Sequence, residues 1–142
     1  MSCIVWPFTC NSLAITVTAI LMIYILLGCG RDVVVDLGFA LDGSNSIDAN
    51  EYRLTKDFVK DIIKMFWISE PGTHVALLEY AVKARIRVEF DKFYDADELL
   101  NHVEDLKQSR GQATNIGIGL EETLNLFSKR NGMRDEVSRI EL

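Results

Sequence analysis

The sequence predicts an α/β protein built on an open, doubly wound and mostly parallel sheet with one antiparallel edge strand. Two nearly continuous apolar runs, 33–42 and 74–81, are typical of strands buried on both faces of a parallel sheet. Segments with helical spacing of apolar residues separate and follow the strands, which places helices on the faces of the sheet. A third strand follows the second after a link that is too short for a parallel crossover, so these two strands form an antiparallel hairpin.

The first strand, VVVDLGFALD, leads through a polar loop into a long helix. Asp36 stands early in this strand, where we expect it at the exposed start. After the loop at 43–47, Asp48 and Glu51 form a D-x-x-E pattern that is typical of a capping box at a helix N-terminus. Apolar residues then recur at helical spacing, and the sequence predicts an amphipathic helix over 49–67.

The next two strands differ in their patterns. A turn at 70–73 precedes HVALLEYA (74–81), which is apolar enough to be buried. RIRVEF (85–90) alternates polar and apolar side chains, as a half-buried strand at a sheet edge does.

Two further helices complete the order of elements. Asp95 and Glu98 repeat the D-x-x-E pattern before a short helix with apolar residues on one side. A third helix begins at Asn115, and we expect its apolar face to lie against the core. That face comprises Ile116, Leu120, Leu124 and Phe127.

Residues 1–30 form an uncharged leader. The run LAITVTAILMIYILL at 13–27 has fifteen residues, the upper limit of the roughly 7–15 of a signal-peptide apolar region and fewer than the roughly 20 of a membrane span. Gly28-Cys29-Gly30 places small residues where a signal peptidase cut before Arg31 requires them. We therefore expect a cleaved signal peptide or, since the start has no Lys or Arg, an uncleaved membrane anchor. All three cysteines lie in this leader.

The segment 31–142 carries every charged residue and is acidic. The chain has 15 Lys and Arg against 21 Asp and Glu, a net charge of −6, whereas non-specific nucleic-acid binding requires a basic surface. No P-loop, nucleophile elbow or Cys/His zinc pattern occurs, and no nucleophile–base pair is visible. We expect neither a nucleic-acid-binding protein nor an enzyme.

Asp42, Ser44 and Ser46 form a D-x-S-x-S pattern at the end of the first strand. Ligands of open α/β sheets bind at the carboxyl ends of the strands, where this loop lies. Hydroxyl and carboxylate oxygens are hard ligands that suit Mg²⁺, Ca²⁺ or Mn²⁺ better than zinc. The same residue types also serve as turn and capping residues before a helix, so the pattern alone leaves both interpretations open.

Two segments resemble motifs of the von Willebrand factor A-type domain, which is also called the integrin I domain. FALDGSNSI (39–47) resembles the first motif, and QATNIGIGL (112–120) resembles the threonine loop of the family. The element order matches as well, and the resemblance extends from Val33 to about Val137. It implies a Rossmann-like α/β fold and an A-type domain over 31–142.

The resemblance also implies a metal-ion-dependent adhesion site. Ser44, Ser46 and Thr114 would coordinate the ion through their hydroxyls, and Asp42 would act through water and hydrogen bonds to those ligands. We expect Mg²⁺, with Mn²⁺ or Ca²⁺ as alternatives. Neutral hydroxyls leave the ion electron-poor, so that an acidic oxygen from a partner would complete its shell. Asn45 stands where the family commonly has glycine, and it should face outward.

One family element has no counterpart in this sequence. The family has a further aspartate in a Thr-Asp-Gly-like motif after a fourth strand, and no aspartate follows Asp135. We therefore expect a partial domain over 31–142 with an incomplete C-terminal half. We also expect weak ion binding and an unpaired edge on the first strand, which would invite aggregation.

These expectations define a secreted, extracellular adhesion or matrix-interaction domain. It would bind a protein ligand that supplies an acidic residue to the metal, and it would contact a membrane only if the leader stays attached. The alternative is an intracellular A-type domain that acts as a metal-dependent scaffold in a larger assembly. The cysteine-free body favours that alternative, and the leader opposes it.

Overall fold

The computed structural model describes residues 2–5 and 34–134; the rest of the predicted signal or anchor segment lies outside these described residues. The described chain forms a sheet with the spatial order β1-β2-β3-β4. The strands are β1 Ser2–Val5, β2 Asp36–Asp42, β3 His74–Tyr80 and β4 Ala84–Val88. The helices are α1 Ala49–Ile63, α2 Ala96–Asp105 and α3 Ile116–Leu126, followed by a 3₁₀ turn at Lys129–Asn131.

The strand directions confirm the predicted sheet. β2 pairs in parallel with both β1 and β3, and β4 is antiparallel to β3 at the edge. The register of β2 and β3 aligns Asp42 with Tyr80 at their carboxyl ends. Both strands therefore deliver the chain to the same edge of the sheet, where a ligand site is expected.

The capping pattern at the start of α1 has the predicted geometry. The Asp48 carboxylate accepts from the backbone N–H groups of Asn50 and Glu51, both at 2.8 Å. The Glu51 carboxylate in turn accepts from the Asp48 N–H at 2.9 Å. These bonds satisfy donors that a helix N-terminus otherwise leaves free. The helix ends at Ile63, four residues before the predicted boundary.

Helices cover both faces of the sheet, which confirms the doubly wound arrangement. Successive residues of a strand point to opposite faces. Phe39 accordingly packs in the layer that contains α1 and α2, whereas Ala40 packs in the layer that contains Leu126 of α3. No helix in the described ranges is long and apolar enough to cross a bilayer.

The outer edge of β2 differs from the expectation. β1 pairs alongside it from Ser2↔Asp36 to Val5↔Phe39. The expected unpaired edge is therefore wrong over these four pairs. β1 comes from the leader, whose first residues carry no turn or charge signal that would distinguish a strand from the start of a signal peptide.

The exposed face of α3 also differs from the expectation. Ile116, Leu120 and Leu124 are 54%, 52% and 66% exposed, so the predicted core face is wrong for these three residues. The helix instead buries Gly119, Thr123 and Leu126. A Cβ at Gly119 would lie 2.8 Å from the Tyr80 ring, so the absence of a side chain allows the helix to approach the sheet on that face.

Asp36 is fully buried, although the sequence predicts an exposed position. The Arg134 guanidinium donates to its Oδ1 from Nε at 2.9 Å and from Nη2 at 2.6 Å, and the Arg134 N–H donates to its Oδ2 at 2.8 Å. A buried carboxylate is stable only when it is paired and hydrogen-bonded in this way. Its partner lies 98 residues away in the sequence, which is why the local pattern did not reveal the pair.

Candidate metal site

The loop after β2 folds back over the carboxyl ends of the central strands. The Gly43 N–H donates to the Tyr80 carbonyl at 2.8 Å. The Asp42 carboxylate accepts from the Ser44 N–H, also at 2.8 Å. Ile47 is buried, and Asp48 caps α1 directly after it. The loop is thus fixed at both ends, with Ser44 buried and Ser46 exposed between them.

Three hydroxyls from the two motifs meet at this loop. Ser44 Oγ lies 2.6 Å from Ser46 Oγ, and Thr114 Oγ1 donates to Ser44 Oγ at 2.8 Å. The third side of the triangle, from Ser46 Oγ to Thr114 Oγ1, measures 3.2 Å. Thr114 comes 70 residues after Ser44. The structure therefore brings together all of the predicted hydroxyls, and Asn45 between the two serines is exposed as expected.

The dimensions of this triangle fit one face of an octahedral site. Oxygens that bind Mg²⁺ at 2.0–2.1 Å and at right angles to each other are about 2.9 Å apart. The three observed separations, 2.6, 2.8 and 3.2 Å, lie around that value. Each hydroxyl also has two lone pairs and only one proton. Ser44, Ser46 and Thr114 therefore have the donor atoms and spacing to hold a small hard cation.

Asp42 places a carboxylate at the start of the loop that carries Ser44 and Ser46, where it accepts from the Ser44 N–H. Burial, followed by the charge of Asp42, raises the pKa of Tyr80 to about 12, so this phenol stays protonated at neutral pH. Within residues 34–134, no group of three or more His, Cys, Asp or Glu side chains is placed to hold a metal ion. The hydroxyl triangle is thus the candidate cation site described in this range.

Comparison with known proteins identifies the family. The model of the von Willebrand factor type A domain matches residues 36–141. The chain belongs to this family. The A-type domain described here thus has both of its predicted motifs within the matched range.

Two curated relatives and one solved structure illustrate the match. Von Willebrand factor of Rattus norvegicus is 25% identical over 78% of this chain and 26% of its own length. Integrin alpha-M of Mus musculus is 31% identical over 74% of this chain and 9% of its own length. Proximal thread matrix protein 1 of the mussel byssus is 25% identical, with a TM-score of 0.70 over 75% of this chain and 29% of its own. The A-type domain therefore spans less than a third of each of these proteins.

A second structure of the mussel protein shows the same fold. That structure has a zinc-occupied MIDAS motif, and it superposes with a TM-score of 0.69 at 24% identity over 75% of this chain and 29% of its own.

Residues 108–110, which precede the threonine motif, hold the loop at 43–47 in place through hydrogen bonds. The sequence did not reveal this role. The Gln108 side-chain amide donates to the carbonyls of Ser44 and Ile47, both at 2.8 Å. The Arg110 N–H donates to the Gly43 carbonyl at 2.9 Å. Arg110 has a φ of 52°, a left-handed conformation that costs a non-glycine residue of order 1–3 kcal/mol. The surrounding hydrogen bonds hold this strained residue against the loop at 43–47, which carries Ser44 and Ser46 and is the metal-site loop of the proposal below.

Glu79 is a second residue that sequence reasoning missed. Its carboxylate is buried in β3, where one oxygen accepts from the Tyr52 hydroxyl at 3.1 Å and from the Ser109 N–H at 2.9 Å. The other oxygen accepts from Nε and Nη2 of Arg87. Burial and the adjacent Glu79 carboxylate raise the pKa of Tyr52. A charged residue within an apolar strand was the available signal, because a buried carboxylate requires partners.

Glu79 also fixes the distance between β3 and the metal-site loop. A Cβ at Gly43 would lie 2.3 Å from a Glu79 carboxylate oxygen, so a larger residue at this point of the loop would displace the buried Glu79 side chain. The buried carboxylate thus connects β3, β4 and α1 to the base of the site. Rigid support of this kind keeps binding atoms in position.

Proposed function

We propose that this A-type domain is an extracellular adhesion and matrix-interaction module that binds an acidic residue of a protein ligand through a divalent cation. Ser44, Ser46 and Thr114 hold the cation, and Asp42 supports it through water and hydrogen bonds. Mg²⁺ or Mn²⁺ is the expected ion, with Ca²⁺ as the alternative. The hydroxyl triangle is the single observation that supports this function best.

The charge of the proposed ligand set explains why an acidic partner is required. The three hydroxyls are neutral, and Asp42 contributes one carboxylate. A bound divalent ion acts as a Lewis acid that attracts a further anionic oxygen. Ser46 and Thr114 are exposed, so a partner can reach this side of the site. Relatives that include an integrin subunit and a thread matrix protein are consistent with a binding role in a larger protein.

A peptide-binding measurement tests this function. The full chain is titrated with the peptide acetyl-Gly-Asp-Gly-amide in Mn²⁺, in Mg²⁺ and in EDTA. At peptide concentrations well below millimolar, we expect binding in either ion, loss of binding in EDTA and loss of binding in the Ser44→Ala/Ser46→Ala double variant.

Asn45→Ala provides the matched control. It changes the exposed residue between the two serines and should leave binding unchanged. If the peptide binds equally well in EDTA and to the double variant, the partner binds elsewhere and the proposed function is wrong.

A further inference from the structure

A cavity with a mixed polar and apolar wall lies near the hydroxyl triangle. Its volume is about 220 Å³, and its wall includes Ala81, Lys83, Arg85, Ser109 and Gly111. Gly111 forms a parallel β-bridge with Ser44, and its carbonyl accepts from the Asn45 N–H at 2.8 Å. Gly111 therefore joins the cavity to the metal-site loop, and one partner segment could contact both.

Two exposed cations line this cavity without an ionic partner. Lys83 is at the turn between β3 and β4, and Arg85 is at the start of β4, paired across the sheet with Glu79. Within residues 34–134, neither side chain forms a salt bridge. On a chain with a net charge of −6, two adjacent unpaired cations create a local positive region.

The acidic residue in the cavity wall does not neutralise these cations. Glu79 is 2% exposed, and both of its oxygens already accept hydrogen bonds from other groups. Arg87 balances its charge, and the Tyr52 hydroxyl and the Ser109 N–H complete its coordination. The unpaired charges in the cavity wall are therefore positive. They favour a ligand with an anionic group.

The two cations in the cavity wall favour an acidic side chain. A carboxylate accepts hydrogen bonds from both a lysine ammonium and an arginine fork, and such charge-assisted bonds are about twice as strong as neutral ones. A sulfated polysaccharide carries anionic groups along its whole length, so it would be complemented by a longer row of basic residues on the protein surface. The cavity offers one compact pair of cations instead.

We propose that the cavity at Lys83 and Arg85 binds a second acidic side chain of the same partner whose first carboxylate binds the metal site. This inference rests on the proposed function, and it specifies the ligand as a protein segment with two acidic residues a few positions apart. The metal site supplies ion dependence, and the cation pair discriminates between segments that carry one acid and segments that carry two.

A peptide series tests the cavity on the full chain in Mn²⁺. The series comprises acetyl-Gly-Asp-Gly-amide, with one acid, and peptides with two aspartates separated by one to four glycines. We expect the best two-acid peptide to bind roughly tenfold more tightly than the one-acid peptide. The Lys83→Ala/Arg85→Ala double variant should lose this gain and keep its affinity for the one-acid peptide.

Lys92→Ala is the matched control, because Lys92 is an exposed lysine beyond the carboxyl end of antiparallel β4, at the opposite edge of the sheet. It should bind both peptides as the native chain does. An equal affinity for one-acid and two-acid peptides would overturn the inference. So would a sulfated disaccharide that binds in a Lys83- and Arg85-dependent way while the two-acid peptides show no gain.

A measurement in EDTA separates this inference from the proposed function. Binding at the metal site is lost in EDTA, but at millimolar one-acid peptide we expect weak binding in the cavity, which shifts the amide NMR signals of Lys83, Arg85 and Gly111 in the native chain. In the Lys83→Ala/Arg85→Ala variant, the Gly111 signal should not shift. If these shifts occur and Mn²⁺ has no effect on binding, the metal-dependent function fails and the anion cavity stands. If binding needs Mn²⁺ and these signals do not respond, the cavity inference alone is wrong.

Discussion

Gln108 holds the metal-site loop from outside both sequence motifs. Its amide group uses both N–H bonds on the loop carbonyls of Ser44 and Ile47. Gln108→Ala removes these bonds without removing an oxygen from the hydroxyl triangle. Loss of a supporting group of this kind typically weakens metal binding by about 10–100-fold. We expect that loss in a Mn²⁺ titration of the variant.

Gln112→Ala is the control for this prediction. Gln112 is an exposed glutamine in the same loop region, and its removal should leave Mn²⁺ affinity unchanged. An unchanged Mn²⁺ affinity in Gln108→Ala would show that the metal-site loop keeps its conformation without these two hydrogen bonds.

The difference between predicted and missed site residues has a physical cause. Ser44, Ser46 and Thr114 stand in two local motifs, so the sequence places them at one edge of the sheet. Gln108 and Glu79 support that edge through contacts that link distant parts of the chain, 64 residues apart for Gln108 and Ser44. Neither belongs to a spacing pattern, and only the folded chain reveals such partners.

At the scale of secondary structure, the capping patterns predicted the helix starts correctly, whereas the apolar spacing of α3 predicted the wrong buried face. Both D-x-x-E sequences mark real helix starts, because the cap is a local interaction. Helix α3 has two candidate faces, one with large apolar residues and one with Gly119 and Thr123. The smaller face packs on the sheet because it permits close approach. Hydrophobic spacing alone favours the wrong face.

A matched pair of substitutions tests this orientation of α3. Leu126 is fully buried, whereas Leu124 is 66% exposed. Leu126→Ala should lower the free energy of unfolding by about 2–5 kcal/mol, because it removes buried methyl groups and leaves a cavity. Leu124→Ala should change it by no more than about 0.5 kcal/mol. Urea unfolding measures both values, and the reverse order would contradict the orientation.

Helices α1 and α2 are connected by charges whose effect depends on pH. The Lys60 ammonium contacts the carboxylates of Asp57 and Glu104. Hydrogen bonds from Lys60 lower the pKa of Asp57 and of Glu104. Hydrogen bonds to Asp57 and then to Glu104 raise the pKa of Lys60. The carboxylates thus stabilise the fold above their ordinary pKa, and this stabilisation is lost as the pH falls through their lowered pKa values.

Glu104→Gln tests that dependence. The variant should be less stable than the native chain near neutral pH, and the difference should shrink as the pH falls toward 2. Thermal unfolding midpoints from pH 7 to pH 2 measure the difference. Glu89→Gln, at an exposed glutamate, should follow the native curve. A Glu104→Gln difference that stays constant or grows in acid would contradict the proposed role of the ion pairs.

At the scale of the whole molecule, the sheet order was predictable except for β1. Buried and alternating patterns specify β2, β3 and β4 and their directions. β1 comprises only Ser2–Val5 within the uncharged leader, and such a short segment has no distinctive periodicity. Its pairing with β2 depends on the edge that the rest of the chain leaves available.

The leader prediction has a consequence for this sheet. A cut before Arg31 would remove β1 and leave the β2 backbone without that neighbour from Asp36 to Phe39. In a eukaryotic secretory host, we expect an exported chain that begins at Arg31 and self-associates through the open edge. N-terminal sequencing and light scattering measure these two properties.

The same export experiment distinguishes a cleaved signal peptide from a membrane anchor and from an intracellular protein. Intact Met1 in the membrane fraction would favour an anchor, and retention in the cytosol would favour the intracellular scaffold. An exported monomer that begins at Arg31 and unfolds cooperatively would contradict the expected effect of the open edge.

Paramagnetic broadening by Mn²⁺ tests the central claim most directly, because its range is short and it reports position. The full chain is titrated with Mn²⁺ while amide NMR signals are followed. We predict that the signals of Ser44, Ser46 and Thr114 disappear first, that EDTA restores them, and that Ser44→Ala/Ser46→Ala abolishes the selectivity. Broadening that is uniform, or that centres on exposed carboxylates elsewhere and persists in the double variant, would contradict a metal site at the hydroxyl triangle.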